Sequence, residues 1–168
     1  MPKLDIKDEI ANQNAVRVLI RLGLVRSAHD CSDGGLAVAL AECCFNPDEL
    51  LGADIDLSAH SGRRPGGKER EIAGETPTST AQKVCGIMFN EAQSRIIISC
   101  SPKNAERVLS ELKSKNIPHA QIGSVIGNDL RISVCGENLS WRTAELHDLW
   151  WNAIRHAVAS DSEPIPSL

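Results

Sequence analysis

Apolar positions recur at helical spacing along the start of this chain and then break off at turn residues. Residues 6–22 place Ala11, Ala15, Val18, Leu19 and Leu22 on one face, which predicts an amphipathic helix stopped by Gly23 as its C′ residue. A short extended segment, Leu24 to His29, leads into a polar turn. Beyond it Leu36-Ala37-Val38-Ala39-Leu40-Ala41 is apolar nearly all round, predicting a buried helix over about 34–45 with Asp33 or Ser32 as its N-cap. Gly52 to Leu57 alternates apolar and polar residues, as a half-buried strand does. A short helix near 80–89 precedes Arg95-Ile96-Ile97-Ile98-Ser99-Cys100, a β-branched run typical of a central strand. Pro102 falls near N1 of the next helix, whose face is Ala105, Val108, Leu109 and Leu112. Segments 119–126 and 129–135 predict a hairpin around Gly127-Asn128-Asp129, with Leu130, Ile132 and Val134 on one face. A last helix from about 143 is expected to turn Leu146, Leu149, Trp150, Ala153, Ile154 and Ala157 inward.

Helices and strands therefore alternate, and the hairpin requires an antiparallel pair. The fold class this implies is α/β (α+β), a three-layer α/β/α sandwich with a mixed sheet. A single domain is expected over 5–158. Residues 58–80 hold Gly62, Pro65, Gly66, Gly67, Gly74 and Pro77 with Ile72 as their large aliphatic residue, so they read as a disordered insertion or long surface loop. The tail 159–168 carries two prolines and two acids and is expected to fray. No internal repeat is visible.

Composition narrows the class. At 168 residues the chain can bury one core of ordinary size, and with no Tyr, two Phe and three Trp that core must be aliphatic. A net charge of −4 gives no general attraction to nucleic acid or to an acidic membrane. No apolar stretch approaches the roughly 20 residues needed to span a bilayer. Met1-Pro2-Lys3-Leu4-Asp5 lacks the apolar region of a signal peptide, so a cytoplasmic location is expected. The six cysteines, Cys31, Cys43, Cys44, Cys85, Cys100 and Cys135, are scattered without metal-ligand spacing and read as free thiols. His60, His119, His147 and His156 lie apart and read as surface residues, so no metal site is expected.

Two clusters could carry chemistry. The turn Asp30, Cys31, Ser32, Asp33, Gly34, Gly35 opens a helix, where backbone amides and the helix dipole suit a phosphate and glycine permits close approach. Asp30 and Asp33 would repel a bare phosphate unless Mg²⁺ lay between. The alternative is a tight strand-to-helix turn capped by Asp33. Directly before the strand at 95–100, Glu91, Gln93, Ser94 and Arg95 crowd polar groups that can hold a ligand through hydrogen bonds and a bidentate Arg. The alternative there is a helix C-terminal turn in which Glu91 and Arg95 pair. No P-loop, G-x-S-x-G, H-E-x-x-H or G-x-G-x-x-G occurs, and no residue is singled out as catalytic.

Together, S-A-H-D-C-S-D-G-G-L-A-V-A-L-A-E at 27–42 and F-N-E-A-Q-S-R-I at 89–96 resemble the phosphoribosylformylglycinamidine synthases. More narrowly, the chain resembles their last domain, of the C-terminal type in the aminoimidazole ribonucleotide synthetase superfamily. The likeness extends over helix 6–22, helix 103–115, I-G-S-V-I-G at 122–127 and the final helix. It implies a part in an ATP-dependent carbon–nitrogen ligase of purine biosynthesis. That ligase converts formylglycinamide ribonucleotide, ATP and glutamine-derived ammonia to formylglycinamidine ribonucleotide, ADP and phosphate. ATP and Mg²⁺ are held in such enzymes mainly by N-terminal-type domains, and none precedes residue 5. The expectation is a fragment without turnover of its own, whose partners are the remaining synthase domains, a glutaminase supplying ammonia, and small nucleotide substrates. The family carries two copies of the domain pair. The H-D-x-S-D-G-G form belongs to the second copy, whereas the first uses a motif like E-x-Q-x-R, at the place of 91–95, to contact substrate. The likeness thus leaves a phosphate-facing role for Asp30, Ser32, Asp33, Gly34 and Gly35, and a substrate contact for Glu91, Gln93, Ser94 and Arg95. One alternative is a structural domain whose helix 34–45 docks on partner domains. Another is a different superfamily member, such as a thiamine-phosphate kinase, a selenophosphate synthetase or a hydrogenase-maturation protein, against which the E-A-Q-S-R-I segment argues.

Overall fold

Asp5 caps the first helix, its carboxylate accepting from the amides of Lys7 and Asp8. The helix, α1 (Ile6–Arg21), then closes through the Leu24 amide onto the Leu19 carbonyl at 3.0 Å, with Gly23 at φ 65° as its sequence position predicts. The computed structural model describes residues 5–46, 48–58 and 79–160. Most of the insertion expected at 58–80, and of the tail at 159–168, lies outside the described residues. In chain order follow β1 (Ser27–Asp30), α2 (Gly35–Cys43), β2 (Ala53–Asp56), α3 (Thr80–Met88) and β3 (Ile96–Ser99). A 3₁₀ turn at Pro102–Asn104 feeds α4 (Ala105–Ser114), and then come β4 (Gly123–Val125), β5 (Asp129–Val134), β6 (Glu137–Arg142), α5 (Thr143–Trp151) and α6 (Ala153–Ser160).

The strands form an antiparallel ribbon, β1–β3, and a mixed four-stranded sheet in the order β4-β2-β5-β6. In that sheet β2 runs antiparallel to β4 and parallel to β5, and β5 is antiparallel to β6. The alternation along β2 and β5 drives Ala53, Ile55, Leu57, Leu130, Ile132 and Val134 into one core with Leu40 and Cys44 at α2 and Met88 of α3. A second core joins Ala15 and Leu19 of α1 to Val108 and Leu112 of α4, with Leu24 between them. Helices lie on both sides of the ribbon, which sends Ile98 and Cys100 toward the α1–α4 core and Ile97 toward the α2 core. The fold is α/β, with a mixed sheet and flanking helices. Its buried residues are aliphatic, joined by Met88, Cys31, Cys44 and the polar Thr143.

Three local expectations give way to the structure. The segments around Gly127 do not pair with each other, because β2 lies between β4 and β5. Gly123 makes this possible: a Cβ there would lie 2.0 Å from the Asp54 carbonyl oxygen. The hairpin is instead β5–β6, turned at Cys135 (φ 52°) and Gly136 (φ 83°), two positive dihedrals in the manner of a type I′ turn. The run 96–98 is not a central strand, since β3 pairs with β1 alone; it is apolar because the ribbon is packed on both faces. The last helix breaks at Asn152, and Leu149, Trp150, Ala153, Ile154 and Ala157 face outward, only Leu146 packing on the core. Docking of α5 instead rests on Thr143, 1% exposed, whose amide donates to the Asn128 carbonyl (3.1 Å) and whose hydroxyl donates to the Leu51 carbonyl (3.0 Å). No described helix is long and apolar enough to cross a membrane.

Candidate functional site

Pairing of β1 with β3 brings the two motifs together, although they lie far apart in the chain. Asp30 stands opposite Ile96, and one residue further the Cys31 amide donates to the Arg95 carbonyl at 3.0 Å. Burial pushes the Cys31 thiol up; the nearby Arg95 opposes that shift and Asp30 adds to it. The chain then turns through Gly34 (φ 73°) and Gly35 (φ 68°), a pair of left-handed conformations that glycine adopts at no steric cost.

The start of α2 differs from expectation. Its N-cap is Gly34, and neither Ser32 nor Asp33 caps it; both are exposed. The Gly34 amide donates instead to Glu91 Oε1 at 3.0 Å, so a carboxylate of the second motif sits where the helix dipole favours an anion. Gly35 has a further reason to be glycine. A Cβ there would lie 2.8 Å from the Phe89 carbonyl carbon and 2.9 Å from the carbonyl oxygens of Met88 and Asn90. The close approach is thus made by the chain itself, where α3 ends.

Between α3 and β3 the loop is held from both sides. Asn90 Oδ1 accepts from the Ala92 amide at 2.8 Å, and Arg95 Nε donates to the Ala92 carbonyl at 3.3 Å. Ser94 adopts φ 65°, sparsely populated for a residue with a side chain. Both of its polar ends are tied to α1: Asn12 Nδ2 donates to its carbonyl at 3.3 Å, and its hydroxyl donates to Glu9 Oε2. Gln13 Nε2 donates to the other Glu9 oxygen at 2.7 Å. The Ser94 bond, seconded by Gln13, holds the Glu9 carboxyl below its ordinary range against the opposing pull of desolvation and Asp30. Glu91 and Arg95 do not pair. Nη2 of Arg95 is buried without a hydrogen-bond partner among the described residues.

Asp30, Ser32, Glu91, Gln93, Ser94 and Arg95 line one open cleft of about 620 Å³, with Glu9 and Gln13 of α1 as further walls. Asp33, Gly34 and Gly35 are not among its walls; they shape the turn behind it. Glu9 and Gln13 were invisible as site residues because polar positions on an amphipathic helix look alike in sequence. The cleft is lined by three carboxylates, from Glu9, Asp30 and Glu91, and by a single guanidinium, that of Arg95. That balance disfavours a bare phosphate and favours a ligand that presents hydroxyl or amide donors beside an acceptor for Arg95. No group of three His, Cys, Asp or Glu among the described residues is placed to hold a metal ion.

A second chain of contacts leaves the cleft wall. His29 Nδ1 donates to the Asp30 carbonyl at 2.6 Å, and its Nε2 lies 3.1 Å from Glu42 Oε2. The other Glu42 oxygen accepts from Trp150 Nε1 at 2.9 Å, so β1, α2 and α5 are linked through polar groups.

Comparison with known proteins places this architecture. Residues 4–135 match the family described as AIR synthase related protein, C-terminal domain. The chain is 33% identical to phosphoribosylformylglycinamidine synthase subunit PurL of Alkaliphilus metalliredigens over 95% of its length, which is 19% of that protein. It is 36% identical to the Salinibacter ruber subunit over 81% of its length, 15% of that protein. The chain thus spans about a fifth or less of the curated relatives it matches. Phosphoribosylformylglycinamidine synthase II of Thermotoga maritima shares the fold, with a TM-score of 0.63 at 22% identity over 87% of this chain and 22% of that one. The T. maritima protein complexed with ATP superposes with a TM-score of 0.58 at 23% identity over 81% of this chain and 21% of that one. With motifs, topology and family match in agreement, the chain belongs to the AIR synthase related protein family, as one of its C-terminal domains.

Proposed function

We propose that this chain serves as the C-terminal-type domain of a phosphoribosylformylglycinamidine synthase. In that enzyme it would form part of an ATP-dependent ligase joining ammonia nitrogen to a formylglycinamide ribonucleotide, with release of ADP and phosphate. One observation carries the reading: the H-D-C-S-D-G-G turn and the E-A-Q-S-R loop converge on a single cleft, tied by the Gly34–Glu91 and Cys31–Arg95 contacts. The relatives that share most of this chain are synthase subunits. The domain spans 5–158: the family match ends at 135, but β6 and α5 are bound to it through the β5 ladder and Thr143.

On this reading the residues of the cleft divide the work by their chemistry. Arg95, with a buried nitrogen unpaired, is the group for an anionic or carbonyl oxygen of the ligand. Gln93 offers donor and acceptor together, and Glu91 and Asp30 accept from hydroxyls. A phosphate at the α2 terminus has to displace Glu91 from the Gly34 amide, which turns Asp30, Ser32, Asp33, Gly34 and Gly35 into a guarded anion site. On this reading ATP and Mg²⁺ are held mainly by other domains of the synthase, and a glutaminase supplies the ammonia. Turnover is then absent from the isolated chain, and its proposed setting is cytoplasmic.

A second reading, a structural copy that binds no substrate, draws on the same Glu91–Gly34 contact, since the helix terminus already holds an anion. Adding the chain to a synthase lacking this domain, and following ammonia-dependent ADP release, separates the two. Restored turnover that falls with Arg95→Ala supports a working cleft. Restored turnover indifferent to Arg95→Ala, Gln93→Ala and Glu91→Ala supports the structural copy. Turnover by the chain alone refutes both.

A further inference from the structure

The helices α5 and α6 carry a continuous apolar face that nothing in the described chain covers. Trp151 is 70% exposed, Ile154 82% and Val158 66%. Positions 154 and 158 are one turn apart on α6, and Trp150 and Trp151 end α5 just before the break at Asn152, where solvated helices would be expected to place polar groups. The aromatic end is ordered: Trp150 sits 5.5 Å from Phe45 and 6.0 Å from Trp151 between ring centroids, and its indole N–H is satisfied by Glu42. An aromatic side chain already held by its neighbours, with its polar end satisfied and half its surface still exposed, loses little freedom on binding, which is the chemistry of an interface anchor.

We infer that this face docks on an apolar patch of an adjoining domain of the same synthase, an inference that rests on the function proposed above. Two observations fix the occupant. The matched relatives continue well beyond this segment, which is 19% of the Alkaliphilus protein, so most of such an enzyme lies outside it. The exposed part of Trp150, Trp151, Ile154 and Val158 amounts to roughly 500 Å², short of the about 800 Å² per partner of a stable interface between free proteins. A second copy held by this face alone falls below that size, whereas a covalently joined neighbour meets it at millimolar effective concentration and needs less area. His147 stacks on Trp151 at 6.0 Å between ring centroids and Arg155 follows Trp151 by one turn, so Trp150, Trp151, Ile154 and Val158 form an apolar patch with an ionisable edge, and its complement is an apolar patch with a polar rim. Through Trp150, Glu42 and His29 the docked face reaches the Asp30 wall of the cleft.

The test mixes the 168-residue chain with the remainder of the synthase from the same organism and measures binding by calorimetry. The wild-type chain is compared with Trp151→Ser/Ile154→Ser and with Val158→Ser, all at exposed positions, with folding verified by urea midpoint. The expected result is a complex that the double variant weakens by about 30-fold or more, the scale of lost interface anchors, and Val158→Ser by less. A complex that all variants form equally well overturns this docking face and leaves the proposed function standing. No complex with any chain, the wild type included, overturns both. A homodimer of the wild-type chain that the double variant dissolves makes a second copy the occupant, and overturns the inference.

Discussion

Replacing Gly35 with alanine should destabilise the chain well beyond what its left-handed backbone alone would cost. An alanine at φ 68° carries a conformational penalty of about 1–2 kcal/mol. Its methyl group would also stand 2.8–2.9 Å from backbone atoms of Phe89, Met88 and Asn90, which cannot rotate away as a side-chain tip could. Overpacking of that kind costs about 1–3 kcal/mol, for a total of about 2–5 kcal/mol. That is a large share of the roughly 5–15 kcal/mol by which a domain is folded. Gly23 supplies the control, because it has φ 65° and nothing within 4 Å of its would-be Cβ. Gly23→Ala carries the backbone term alone, and the gain from a stiffer unfolded chain is common to both variants and cancels. Urea denaturation at constant slope should therefore lower the midpoint of Gly35→Ala by at least twice as much as that of Gly23→Ala. Equal midpoints would show that the end of α3 yields freely, and that the glycine pair is not there for the approach of Phe89 and Asn90.

Other perturbations test the remaining contacts. Glu91→Gln weakens the charge-assisted bond at the α2 terminus, so the Gly34 amide resonance should move while the unfolding free energy from urea denaturation falls by only about 0.5–1 kcal/mol, since the pair is exposed; an unmoved Gly34 resonance refutes the contact. Glu9 has its folded-state value held below the ordinary 4.5 by Ser94 and Gln13, so its stabilisation is present above that value and is lost as pH falls through the lower folded one. The stability gap between wild type and Glu9→Ala should thus be widest near neutrality and close under acid; a gap independent of pH sinks the latch. Alkylation at pH 8 should reach exposed Cys85 first and leave Cys44 and Cys43 for the unfolded chain, burial having pushed Cys43 up to about 11. Labelling of Cys43 ahead of Cys85 would contradict that packing.

Periodicity made the helices and the inward faces of β2 and β5 legible, because each element buries one side and water wets the other. Ala15 and Leu19, Val108 and Leu112, and Ile55 and Ile132 are buried as their spacing requires. Partners were not legible. Strand β2 enters between β4 and β5 from some 70 residues earlier, and the local signal for that insertion is Gly123, a lone glycine. Ile96-Ile97-Ile98 reads the same whether a strand is central in a sheet or sandwiched in a ribbon between two cores. The outward stripe of α5 and α6 was read as inward for a related reason. An apolar face states that something covers it, and says nothing about whether the cover belongs to the same domain.

The site follows a similar division. Both motifs are conspicuous in the sequence, and their convergence needs only that β1 and β3 pair, which places Asp30 beside Ile96 and the Arg95 carbonyl on the Cys31 amide. Its charge balance was less accessible, because Glu9 reaches the cleft from α1 through a residue, Ser94, whose left-handed backbone only the folded chain displays. With Glu9 in place the cleft holds three acids to one Arg, and at the helix terminus the Gly34 amide donates to a carboxylate of the chain itself. A terminus that carries its own anion exchanges it for a ligand only when that ligand brings more than one favourable contact, so on the proposed function affinity in this cleft depends on Arg95 and Gln93 as much as on the glycine turn. Glu91→Gln should on that account tighten phosphate-bearing ligands, whereas Arg95→Ala should weaken them even though the turn is intact. Tightening in both variants would mean that the turn alone sets the affinity.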